Sequence, residues 1–490
     1  MFVVILGLAG LAGGCASRPV PPSTPASVTS PAVVADPPVD PAALIRRGCF
    51  SCLEQALAAA REQRSDALVF EAASLLALRA KELGIPPDEW QGQARVLAEG
   101  DTARQLVLEI VESLPRDRLS GARDDVLVQT PRRLRVASLT PSWMAALSSG
   151  PGSLEFRSYL QLALTCASER YAAMKPGEVA ASVPEAVRDV PLLQYRLGIC
   201  GIDHVDALRA RRLADDAFTD ADFPLGRFAV QRRPYPDLDD ALQRLQSAAA
   251  AFPRSSAIAT SRGDVNQLVE NWPEALAAYD AAIALVSDHP DALIGRTIAL
   301  SNLSRHDEAI ATASRLIDEG RWFVAQALYW RAWNRFQLTD YPVARQDADR
   351  AKSLMVNPGV YLLSGMIDWR LRRLESAERE FEEALRMDFG QCEAATFLGG
   401  VRNERSKVPE AMAAFTQAVR CYDLTITLAR EAIARLDVSD APASHKVREL
   451  ARHQRVVAQA EKRRAEAANG ADLLQKYLTS IQSRSQSPRQ

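Results

Sequence analysis

Histidine is scarce in this chain. The 490 residues hold 5, all well separated, and that leaves no set from which a multi-histidine metal site is built. An excess of one charge is also missing: 59 Lys and Arg stand against 61 Asp and Glu, a net charge of −2. No bulk electrostatic term therefore draws the chain to nucleic acid or to an anionic membrane face. No apolar run reaches the roughly 20 residues needed to cross a bilayer. Phosphate loops, dinucleotide fingerprints, serine-nucleophile elbows and paired-histidine motifs are all absent. Acidic pairs such as Asp215-Asp216 and Glu382-Glu383 sit on helical patterns and read as solvated faces. The expectation is a protein that is not an enzyme, with no cofactor, no metal and no nucleic-acid partner.

What the chain does have is a period. Alanines fall at Ala207, Ala241, Ala275, Ala309, Ala344, Ala377 and Ala411, at steps of 34, 34, 34, 35, 33 and 34 residues. A second small-residue series follows seven positions later, at Ala214, Ala248, Ala282, Ala351, Ala384 and Ala418, broken by Leu316. Self-similarity at a fixed period of this size marks a solenoid built from a repeating helical pair. Gly263 sits mid-way along the first helix of one unit, and Ala332, Gly365 and Gly399 take the same place in later ones. The large residue Tyr279 on the second helix becomes Phe381 and Phe415. Small residues are needed where antiparallel helices cross closely, and a large one a turn away fills the hole they leave.

The stretches NWPEALAAYDAAIAL at Asn271–Leu285, RHDEAIATASRLI at Arg305–Ile317 and DYPVARQDADRAKSL at Asp340–Leu354 carry this pattern. So do LESAEREFEEALRMD at Leu374–Asp388 and VPEAMAAFTQAV at Val408–Val419. Together they resemble the tetratricopeptide repeat family. That resemblance implies an all-α fold, a right-handed superhelical solenoid of antiparallel helix pairs whose first helices line a concave groove. It covers about Asp222–Asp423 and extends more degenerately towards Asp40. It names no partner, because the fold serves many functions.

The N-terminus, MFVVILGLAGLAGGCAS, has a short apolar core ending in small residues before Cys15. LAGGC resembles the bacterial lipoprotein signal, in which cleavage precedes a cysteine that becomes lipidated. Residues 1–15 are therefore expected to be a signal peptide, with Cys15 as the lipidation site. The expected location is the bacterial cell envelope, lipid-anchored at the outer membrane. Residues 16–41, rich in Pro, Ser, Thr, Ala and Val, read as a disordered tether. Degenerate helical hairpins are expected over 42–221, with an irregular connection from Pro115 to Gly152, and the repeat array over 222–423. Capping helices are expected at 424–480, from Leu424–Leu436 and Ser444–Ala467, with a disordered tail at 481–490.

Setting Cys15 aside leaves an even number of cysteines. Cys49 and Cys52 form a CFSC spacing, but no strand precedes it, so the pair reads as helix-packing residues or a local disulfide rather than a redox motif. Cys392 opens the first helix of its unit and Cys421 closes the second, which brings them to the same end of a hairpin. Cys166 and Cys200 lie one repeat length apart, on neighbouring hairpins. Disulfides at both places suit an oxidising compartment.

Inward positions implied by the resemblance are Tyr329, Trp330, Trp333 and Phe336 in one unit, Trp369 and Arg370 in the next, and Asn403 after it, flanked by Asn302 and Gln267. Aromatic side chains give large contact area at low entropy cost and suit a protein or peptide partner. The bland alternative is that these rings pack between repeats. Gln326 and Trp330 stand where some relatives place carboxylate-clamping cations, which argues against that mode. The expected function is a non-catalytic protein–protein interaction scaffold in envelope assembly or secretion. The alternative is a solute- or glycan-binding lipoprotein with an aromatic groove.

Overall fold

The computed structural model describes residues 39–114, 141–167, 174–200 and 205–486. Cys15, nearly all of the expected tether, residues 115–140 of the expected irregular connection and the last four residues lie outside them, and residues 141–149 of that connection are helical instead. Among the described residues all regular structure is helical. The N-terminal region holds α1 (Pro41–Arg47), α2 (Phe50–Glu62), α3 (Asp66–Glu82), α4 (Asp88–Ala98) and α5 (Thr102–Ser113). It continues with α6 (Pro141–Ser149), α7 (Leu154–Ala167), α8 (Pro176–Ala181), α9 (Pro191–Gly198) and α10 (Val205–Ala214). Regular pairs follow: α11 (Asp222–Gln231) with α12 (Leu238–Ala251), α13 (Ser256–Leu268) with α14 (Trp272–Leu285), and α15 (Pro290–Asn302) with α16 (His306–Glu319). Then come α17 (Val324–Gln337) with α18 (Tyr341–Leu354), α19 (Pro358–Arg370) with α20 (Leu374–Met387), and α21 (Cys392–Glu404) with α22 (Val408–Val438). A final helix, α23, runs from Ala443 to Gln486.

A small residue against a large ring sets the distance within three of the pairs. A Cβ on Gly263 would lie 2.5 Å from the Tyr279 ring, one on Gly365 2.5 Å from Phe381, and one on Gly399 2.8 Å from Phe415. The alanines at 241, 275, 309, 344, 377 and 411 have no exposed surface. Ala207 and Ala214 do not join them: both are exposed on α10, so the first members of the two alanine series are coincidences of spacing and the regular pairs begin at Asp222. Gly365→Val should push α19 off Phe381 and cost about 1–3 kcal/mol of stability by overpacking. Urea denaturation checks this, and an unchanged midpoint would place the crossing elsewhere.

The turns inside the pairs repeat as well, without a sequence signal. Glu270, Ser304, Thr339, Arg372 and Ser406 all have φ between 58° and 62°. After each of them an amide reaches back five residues, as in Asn271 N to Asn266 O, Arg305 N to Leu300 O and Arg373 N to Asp368 O. This is the six-to-one bond that closes a helix through a left-handed residue, a conformation that costs a non-glycine residue about 1–2 kcal/mol. Arg64, at φ 55°, builds the same turn between α2 and α3, with Ser65 N bonded to Ala60 O. The repeat's turn is thus present where its alanine pattern is not.

The N-terminal region is fastened to the array by a buried charge cluster. Arg79 on α3 and Asp220, just before α11, pair with neither side chain exposed. Asp220 Oδ2 also accepts from Phe50 N at 3.1 Å, and Arg79 Nη1 donates to Gly48 O at 2.9 Å. The guanidinium lies 3.3 Å above the centre of the Tyr195 ring. Burial pushes the Tyr195 phenol up to about 12, although Arg79 beside it pulls the other way. Glu82 completes the cluster, accepting from Tyr159 Oη at 2.8 Å and facing Arg196 at 3.4 Å.

The C-terminal part differs from the expected cap. Leu424–Leu436 is no separate helix but the continuation of α22, because the residues between Val419 and Leu424 include no helix breaker. The helix α23 also runs past 480, so the expected tail begins inside it, and Pro488 is the first breaker. α23 lies antiparallel to α22, and Gly470 packs on Phe415 as Gly295 of the next unit packs on Tyr279. Its inner half therefore stands where another first helix would. Its outer half reaches the opposite end of the array. Arg448 pairs with Asp239 on α12 at 2.8 Å, Arg455 with Glu270 at 2.7 Å, and the His445 ring lies 5.2 Å from Tyr235.

Three cysteine pairs are bonded, with Cα–Cα distances of 4.9 Å for Cys49–Cys52, 5.5 Å for Cys166–Cys200 and 5.4 Å for Cys392–Cys421. The first is local to the start of α2, where Cys49 caps the helix by accepting from Cys52 N at 3.0 Å. The other two tie α7 to the turn after α9, and α21 to α22.

Candidate binding groove

First helices of successive units pack against one another, α13 on α15, α15 on α17, α17 on α19 and α19 on α21, more closely than second helices do. The array therefore curves with its first helices inside, and their free faces form the concave side. The electrostatics of this face are set by where its cations go. Arg331 and Arg335 on α17 both turn to Asp347 of α18, at 2.7 and 2.6 Å. Arg345 of α18 is held by Asp368 at 2.9 Å. Arg402 on α21 is held by Glu378 of α20 at 2.9 Å. Each pair links helices, and none leaves its guanidinium as a free anion clamp.

The expected groove residues divide into groups. Tyr329, Trp330 and Trp333 come together on α17, each half-buried, with the first two rings edge to face at 5.4 Å. Trp333 stacks on Phe336 at 6.3 Å, and Phe336 meets Tyr341 at 5.5 Å. Trp333 and Phe336 also rest on the cluster that contains Leu363 and Ile367 of α19. Burial lifts the Tyr329 phenol above its ordinary range. Trp369 lies apart from them. Its ring packs on Phe397 and Phe381, at 5.9 and 6.5 Å, and its Nε1 donates to Glu404 at 2.9 Å. Arg370 and Asn403 are exposed. Of the flanking positions, Gln267 accepts from Tyr279 Oη at 3.2 Å, which ties it to the hairpin of its own unit.

A pocket of about 390 Å³ opens beside the α17 rings. Tyr329, Trp330, Trp333 and Gln337 form one wall, and Ser301, Asn302, Ser304 and His306 form the other. The second wall is the end of α15 and the left-handed turn into α16. Sequence reasoning passed over Ser301 and Gln337 on the first helices α15 and α17, and it did not count the turn residues Ser304 and His306 at all. The one local signal was His306 itself, where the other units carry Trp272, Tyr341, Leu374 and Val408. His306 Nδ1 is 2.8 Å from Asn334 Oδ1, and Asn334 Nδ2 donates to Trp330 O at 2.7 Å. A second hollow of about 490 Å³ lies between Arg46, Arg47 and the Glu185–Pro191 segment, lined by both signs of charge. Among the described residues no cluster of His, Cys, Asp and Glu could hold a metal ion, and no helix is long and apolar enough to cross a membrane.

No protein-family model matches the chain, and no curated protein does. Solved structures similar to it include YrrB, described as a TPR protein with an unusual peptide-binding site, at 19% identity and a TM-score of 0.32, over 37% of this chain and 93% of that one. A tetratricopeptide repeat protein from Parabacteroides merdae is 16% identical with a TM-score of 0.36, over 49% and 98%. Yeast Tom70 is 14% identical with a TM-score of 0.34, over 88% and 92%. The chain's own geometry carries the assignment: helix pairs on a near-constant period, a glycine against one large ring in three of the pairs, a recurrent left-handed turn, and first helices on the inside. The fold is that of a tetratricopeptide-repeat solenoid.

Proposed function

We propose that this protein is a non-catalytic scaffold that holds protein or peptide partners on the concave face of its array. The observation that carries the reading is that face itself. It runs over successive first helices, exposes Arg370 and Asn403, sets Trp369 beside them at the end of α19, and has Arg331, Arg335 and Arg402 tied to the second helices. A surface that is aromatic, polar and free of strong net charge suits a folded partner better than nucleic acid or a terminal carboxylate. YrrB is described as having a peptide-binding site, and the same class of partner is proposed here. The finer reading places the scaffold in the bacterial envelope, anchored by lipid on Cys15 and serving an assembly or secretion machinery. It rests on the LAGGC motif and on the Pro-rich stretch that follows it.

The test is affinity capture on the full chain after membrane extraction. Arg370→Ala and Asn403→Ala change exposed side chains, so both should fold normally, and together they should weaken capture of a specific partner by about 2 kcal/mol. An identical captured set in equal amount would remove the partner from this face. Labelled fatty acid should enter the wild type and not Cys15→Ala. Equal labelling of both would remove the anchor.

A further inference from the structure

We propose that the pocket beside α17 is a binding site for an uncharged sugar ring, a ligand class outside the scaffold reading and independent of it. Its walls divide by chemistry. Trp330 and Trp333 supply flat apolar surface of the kind that takes the C–H face of a pyranose, and across from them the hydrogen-bonding groups are bunched within one turn of chain, from Ser301 to His306. Hydroxyl and amide side chains both donate and accept, as sugar hydroxyls do.

The His306 ring has a defined role. Asn334 spends its amide N–H on Trp330 O, so its Oδ1 accepts from His306 Nδ1 at 2.8 Å. In the neutral ring this leaves Nε2 as the acceptor for a ligand hydroxyl.

Competing ligand classes fail on the same observations. A phosphate, carboxylate or nucleotide finds no Lys or Arg in the lining, and the cations of the adjoining helices are paired: Arg331 and Arg335 with Asp347, and Arg305 with Glu308 at 2.7 Å. A lipid chain would leave the polar wall unpaired. An extended peptide would need partners spread along several residues rather than gathered in one corner. The volume of about 390 Å³ lies at the lower end of the range for small-ligand pockets, about 300–1,000 Å³, and suits one or two rings rather than a large cofactor.

The experiment is calorimetric titration of the full chain with maltotriose, cellotriose and triacetylchitotriose, followed in parallel by tryptophan fluorescence, with sialyllactose as the charged control. At least one neutral trisaccharide should bind saturably at millimolar concentration or below and change the emission, and the charged sugar should not. Asn302→Ala and Gln337→Ala replace exposed side chains, and each should weaken that binding about tenfold at unchanged melting temperature. The Arg370→Ala variant should retain it, so loss of a protein partner and loss of the sugar are read separately. Failure of all three neutral sugars to bind overturns the proposal. Binding that ignores both pocket substitutions, or equal binding of sialyllactose, overturns it too.

Discussion

Asp220→Ala should lower the free energy of unfolding by about 3–5 kcal/mol, the usual cost of removing one partner from a buried ion pair. Neither Arg79 nor Asp220 has exposed side-chain surface, so water cannot take over the lost interaction. The variant also leaves Phe50 N at the start of α2 without its acceptor. Arg79 would keep Gly48 O, the Tyr195 face and Glu82 at 3.6 Å, a carboxylate it shares with Arg196, so its charge is left under-compensated. The double variant Arg79→Met with Asp220→Leu should recover most of the loss, because exchanging both members for apolar groups avoids the stranded charge. Chemical denaturation of the three proteins settles the matter. An unchanged midpoint for Asp220→Ala would mean that the cluster does not fasten the N-terminal helices to the array.

Trp369→Ala should cost about 3 kcal/mol, towards the lower end for a truncated tryptophan because the ring is only half-buried. The ring fills the space between α19 and α21, so close to Gly400 that a Cβ there would sit 2.7 Å from it. It also holds Glu404 through its indole N–H, and Arg372 holds the other oxygen of that carboxylate at 2.5 Å. The loss should therefore appear in thermal stability without any partner present. Trp330→Ala should lose less, since part of that ring faces the pocket rather than the next unit. If Trp369→Ala melts with the wild type, the ring is free surface and joins Arg370 and Asn403 as a contact for a partner.

The array was legible in the sequence because its rule is steric. Where two helices cross at close range only Ala or Gly fits, so Ala275, Ala309 and Ala377 recur at the period of the structure itself. The same economy of signal produced the error at Ala207 and Ala214, since alanine is also an ordinary residue on an exposed helix. The turn residues were not legible. Glu270, Ser304 and Arg372 adopt the left-handed conformation under compulsion from the helices on either side, and nothing in their chemistry asks for it. The pocket was half legible. Its rings lie on a first helix, where inward positions can be counted, whereas His306 and Ser304 belong to a turn whose direction depends on the packing of α15 against α17. The extent of α22 was hidden for another reason: the repeat pattern stops near Val419 while helix propensity does not.

The reach of α23 alters how the array comes apart. In an open stack each terminal unit has a single neighbour, so fraying starts at the ends and works inward. Here one helix touches α12 near the beginning and α21 and α22 at the end, so neither terminus loosens without disturbing a strut shared with the other. The contacts at the far side are solvent-exposed ion pairs, a kind worth about 0–1 kcal/mol each and weakened by salt. Ionic strength thus becomes a dial on the strut. In dilute buffer, amide exchange along α12 should be nearly as slow as in the middle units. In concentrated salt it should quicken, while the centre of the stack keeps its protection.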